Sequence, residues 1–108
     1  LGWDESGRIA WMTLAYDDVA RIGALDLHPE GIINYTRSIA GVEVGLLIRE
    51  ISPGVCKIGF RSKGKVDVAS IAARLGGGGH KQAAGASVEG SLDQVTQRVV
   101  QMVREVIS

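Results

Sequence analysis

The chain has 108 residues, 45% hydrophobic and 22% charged, the size and balance of one soluble domain with its own core. Lys plus Arg and Asp plus Glu stand at 12 each, which excludes the strongly basic type that coats long duplexes but leaves room for a pocket gripping one or two phosphates. The single cysteine, Cys56, excludes an internal disulfide, and no apolar run approaches the ~20 residues of a membrane-spanning helix.

The N-terminal Leu1-Gly2-Trp3-Asp4 lacks the basic and apolar segments of a signal peptide, so a cytoplasmic location without membrane association is expected. With no initiator methionine, it reads as a fragment of a longer protein. Glu5-Ser6-Gly7 predicts a turn and Arg8–Leu14 a strand. Asp17 or Asp18 would cap a short helix through Arg21 that stops near Gly23. His28-Pro29-Glu30 looks like the start of a second helix, with His28 a turn or cap residue and Ile32, Ile33, Tyr35 and Ile39 on its buried side.

Two apolar-rich runs follow, Val42–Ile51 and Val55–Arg61, joined by Ser52-Pro53-Gly54. Proline then glycine predicts a type II turn and an antiparallel hairpin, with Glu50 opposite Lys57 if the turn is tight. Alternation puts Cys56, Ile58 and Phe60 on one face and Lys57, Gly59 and Arg61 on the other. Asp67 can cap a helix carrying Val68, Ile71, Ala72 and Leu75, ended by Gly76. Ala83–Glu89 reads as a strand. Ser91-Leu92-Asp93-Gln94 fits a capping box, and Leu92, Val95, Val99, Met102, Val103 and Val106 then recur at helical spacing. The order predicts an α/β (α+β) fold, a mixed sheet of about four to five strands flanked by helices. Trp11, Tyr16, Tyr35, Met102 and Cys56 read as structural.

One segment stands apart, Gly76-Gly77-Gly78-Gly79-His80-Lys81-Gln82-Ala83-Ala84-Gly85-Ala86. Glycine tracts usually mean mobile linkers. Here a helix ends directly before the run, small residues without serine or proline padding follow it, and only about 30 residues remain. Consecutive glycine N–H groups can form an anion-binding nest, with His80 as a side-chain donor and Lys81 as nearby charge.

Gly77-Gly78-Gly79-His80-x-x-Ala83-Ala84-Gly85 resembles the signature of the DHH-associated C-terminal domain of DHH-family phosphoesterases. Phe60-Arg61-Ser62, Val66-Asp67-Val68 and Ile71-Ala72 are similar to the oligoribonuclease branch, whose nano-RNases also hydrolyse 3′-phosphoadenosine 5′-phosphate. The resemblance spans about Arg8 to Val106. It implies a single substrate-binding domain over 1–108, with the catalytic Asp-His-His domain and its manganese ions outside this chain. The chain itself has no Asp-His-His sequence and no carboxylates clustered at metal spacing, so it is expected to bind no cofactor and to be inactive alone.

Carried over residue by residue, Gly77, Gly78, Gly79 and His80 would hold a substrate phosphate, and Arg61 and Ser62 would reach the same ligand. The implied partners are short single-stranded RNA or DNA, nucleotide phosphates and the catalytic domain of the same protein. Two rival readings are the matching domain of a cyclic di-AMP phosphodiesterase and a nucleic-acid-binding module like that of alanyl-tRNA synthetases. Phe60-Arg61-Ser62-Lys63 favours the oligoribonuclease branch over the first, and His80 directly after the glycines counts against the second.

Overall fold

The computed structural model describes residues 1–24 and 29–107. Its elements in chain order are β1 (Gly2–Trp3), β2 (Ile9–Leu14), α1 (Tyr16–Ala24), α2 (Pro29–Ser38), β3 (Val44–Ser52), β4 (Val55–Ser62), α3 (Val68–Arg74), β5 (Gly78–His80), β6 (Ala83–Glu89) and α4 (Leu92–Ile107). The six strands form one mixed sheet in the order β1-β2-β3-β4-β6-β5. Only β2 and β3 run parallel, and α1 and α2 make the crossover such a pair needs. The α+β expectation is met, with two short edge strands, β1 and β5, added to it.

The main core lies between the sheet and the pair α3 and α4. Ile9, Leu46, Ile48, Cys56, Ile58 and Phe60 from the strands meet Val68, Ile71, Val95, Val99 and Val103 from the helices. The predicted alternation in β4 holds, since Cys56, Ile58 and Phe60 are all fully buried. Burial pushes the Cys56 thiol above its ordinary range, with the nearby Glu50 charge adding to the effect. On the opposite face Ile33 of α2 packs with Leu14 and Leu47 in a smaller cluster.

Caps set several helix boundaries. Asp67 accepts from the backbone N–H groups of Ala69 and Ser70 at 3.0 and 3.3 Å, as expected of an N-cap aspartate. The Ser91 hydroxyl oxygen accepts from Gln94 N–H at 3.2 Å, one half of the predicted capping box. Helix α1 departs from expectation: it starts at Tyr16, so Asp17 and Asp18 lie inside its first turn. The first N–H, that of Tyr16, donates to Glu50 Oε1 at 3.0 Å, so a strand side chain satisfies it.

Other expectations need correction. Tyr35 is 57% exposed and Val106 43% exposed, because each sits at the edge of its helix's apolar stripe; Thr36 takes the buried place in α2 and bonds Ile33 O at 2.7 Å. Tyr16 is also largely exposed, while Trp11 packs against the main core and Met102 is buried, as expected. The hairpin turn at Pro53-Gly54 forms with Gly54 at φ 79°, but the register shifts between Glu50 and Ser52. Glu50 therefore faces Cys56, and Arg49, not Glu50, faces Lys57. The expectation that His28 is a turn or cap residue falls outside the described residues.

Candidate functional site

The face that carries α1 and α2 is only partly covered. Beyond α2, strands β4, β6 and β5 leave a groove of about 370 Å³. Ladder register explains what lines it. Paired residues share a face, so Arg49, Lys57 and Ser87 form one row across β3, β4 and β6. The next row on the same face is Leu47, Gly59, Gly85 and Gly78. The third is Gly45, Arg61, Ala83 and His80. A strip dominated by glycines thus runs between two rows that carry cations. Pro29, Glu30 and Ile33 of α2 close the near side.

Arg61 is the best-held of these cations. Its side chain is only 14% exposed. Nη1 donates to the carbonyl of Phe60 at 2.8 Å, and Nη2 meets both Glu30 carboxylate oxygens at 2.5 Å. This fixes the plane of the guanidinium, which can grip a phosphate through parallel hydrogen bonds. Arg49 and Lys57 make no ion pair among the described residues, so like charges face each other across the β3–β4 ladder.

The glycine run is not the loop its composition implies. Gly78–His80 is an edge strand paired antiparallel to β6, with Lys81 and Gln82 turning the hairpin. That turn is pinned at its base: Ser62 N–H donates to Gln82 O and Val68 N–H to Lys81 O, both at 2.9 Å. Paired extended backbone alternates its N–H directions, so β5 offers the groove a bare edge instead of a nest. Close approach to β6 explains the composition. A Cβ at Gly77 would lie 2.1 Å from Gly85 O, and one at Gly79, where φ is 147°, would lie 2.6 Å from Ala83 O. A Cβ at Gly78 would meet nothing within 4 Å.

The structure therefore gathers Arg61, Gly78 and Gly79 at one groove. His80 is exposed at the outer end of the Arg61 row, about 10 Å away across β6, two strand spacings. Gly77 does not line the groove; its place is against Gly85 and Ala86. Ser62 is on the opposite face, 1% exposed, and its hydroxyl oxygen accepts from Gly64 N–H at 3.0 Å. Sequence reasoning missed Arg49 and Glu30 as groove residues. The register shift hid the first, and no local pattern links position 30 to position 61. Among the described residues, no three of His, Cys, Asp and Glu come together as a metal-binding group, and no helix is long and apolar enough to cross a membrane.

A mixed sheet with helices on both faces, and a basic, glycine-floored groove on the more open one, defines the chain as a compact α+β domain. The particular family is shown by comparison: the DHHA1 domain matches residues 25–108, and the chain belongs to that family. It is 45% identical over 76 residues to the bifunctional oligoribonuclease and PAP phosphatase NrnA of Thermus thermophilus. That alignment takes in 69% of this chain but 22% of the Thermus protein, so the chain spans only a small part of that relative. An exopolyphosphatase-related protein from Bacteroides fragilis has a similar crystal structure, with a TM-score of 0.76 and 27% identity over 91% of this chain and 29% of that one.

Proposed function

We propose that this chain is the substrate-binding domain of a DHH-family phosphoesterase that degrades short oligonucleotides, and that its groove holds a substrate phosphate. The observation that carries this reading is the guanidinium of Arg61, fixed at a groove that Arg49 and Lys57 also line. Three cations against one groove carboxylate make a net positive site on a chain of zero net charge. The glycine edge lets a ligand approach the backbone without side chains in the way. The likeness to NrnA supports short oligonucleotides and 3′-phosphoadenosine 5′-phosphate as the substrate class.

In this reading the scissile bond is cut by a catalytic domain of the same protein, which carries the manganese ions, in the cytoplasm. The present chain contributes binding energy that positions the substrate. In the same reading His80, at the end of the Arg61 row, would meet a ligand that extends beyond the groove toward β5.

The test is a calorimetric titration of the chain with a 5′-phosphorylated dinucleotide. Saturable binding is expected. Arg61→Ala should weaken it about tenfold or more, the worth of a charged hydrogen bond to phosphate. Arg98→Ala, on exposed helix surface away from the groove, should leave it unchanged. Equal affinity for Arg61→Ala and the parent chain would refute the assignment.

A further inference from the structure

The Arg61–Glu30 contact does more than anchor a side chain. Nη1 of Arg61 is turned back to its own strand's backbone, on the Phe60 carbonyl, while Nη2 is the edge taken up by Glu30. Both carboxylate oxygens lie on that one nitrogen, and Glu30 itself lines the groove. The carboxylate thus stands where an incoming anion would form its own hydrogen bonds to Nη2. The two partners differ in exposure: the Arg61 side chain is 14% exposed, that of Glu30 56%. Glu30 sits in the first turn of α2, immediately after Pro29, where solvent reaches its side chain.

We infer that Glu30 is a built-in competitor for the ligand phosphate: it occupies the Arg61 guanidinium in the free chain and is displaced when a phosphate binds. This rests on the proposed function and deepens it, because it assigns the groove a gate as well as a grip. Charge balance favours the exchange. One anion replaces another at Arg61, so the guanidinium is never left without a partner, which limits the cost of opening the pair. A neutral ligand offers no such replacement and is excluded from that edge. The device selects for ligands carrying a phosphate without reading sequence, and it lowers affinity, which speeds product release.

The experiment compares the chain with Glu30→Gln, using the same 5′-phosphorylated dinucleotide and, as a neutral probe without any phosphate, the corresponding nucleoside. Removing the competing charge should tighten binding of the phosphorylated probe about tenfold, or about 1.4 kcal/mol, and give no such gain for the nucleoside. A residue that merely props Arg61 in place would give the opposite sign, since its loss would weaken binding. In the parent chain, the Glu30 side-chain carboxyl 13C resonance should shift as the phosphorylated probe saturates. Affinity that falls or stays level in Glu30→Gln, or a carboxyl resonance that does not move while the parent chain binds, overturns the gate and leaves the proposed function standing. Absence of binding by both chains overturns the two together.

Discussion

The two faces of the sheet are made from the same strands, yet they are finished differently. On one, α3 and α4 lie over β2, β3, β4 and β6, and Phe60, Ile58 and Leu46 are sealed from water. On the other, α1 and α2 cover β2, β3 and part of β4, so the surface of β6, β5 and the rest of β4 stays open with charged groups along it. The closed face stabilises the chain through burial of apolar area. The open face gives some of that up and leaves Arg49, Lys57 and Arg61 lining a groove. Alternation within a single strand carries both tasks, since Phe60 and Arg61 are neighbours in sequence and opposites in environment.

The sharpest way to test that division is to damage the closed face. Phe60→Ala removes the largest fully buried side chain and should cost about 3–5 kcal/mol, seen as a lower urea midpoint. A loss below about 1 kcal/mol would mean that the face is not closed. A mid-sized test compares two adjacent glycines. Gly77→Ala forces a methyl group onto Gly85 O and should cost about 1–3 kcal/mol, whereas Gly78→Ala points into open space and should change stability by less than about 0.5 kcal/mol. Equal melting shifts for the two variants would show that β5 is not held against β6.

The smallest effect concerns acid. The Arg8 guanidinium, 2.7 Å from Glu43, holds that carboxyl below its ordinary range. Asp4 is held down first by the Ser6 N–H and then by Arg104. Both groups are more acidic folded than unfolded, so their contribution is complete above the ordinary carboxylate range and is lost as pH falls through the lowered folded values. Solvent screens both pairs, so the loss is modest. Glu43→Gln should show a smaller fall in melting temperature between pH 5 and pH 2 than the parent chain. An equal fall would assign acid sensitivity elsewhere.

Elements that depend on neighbours in sequence were readable before the structure. Asp67 and Ser91 announce their helices because a cap acts over two or three residues, and Cys56, Ile58 and Phe60 announce a buried face because strand alternation is local. Arg61 was marked only by the family resemblance. What depends on distant pairing was not readable. Strand β5 looked like a loop because four glycines carry no strand propensity; pairing with β6 creates it. The contact of Glu30 with Arg61 joins residues 31 positions apart, and Tyr35 reads as apolar although the α2 stripe turns away from it.

The register shift near Ile51 has a further consequence. In an unshifted ladder a glutamate would stand across from Lys57 and neutralise it; the extra residue substitutes an arginine. One unpaired position in a strand thereby sets the sign of the groove's outer wall. Opposed like charges are a local cost in the empty chain. On the proposed function, an anion settling between them would turn repulsion into attraction, and this hairpin would gain stability from occupancy by mass action. The bulge would then work as an electrical component, storing a small mismatch for a ligand of the right charge to discharge.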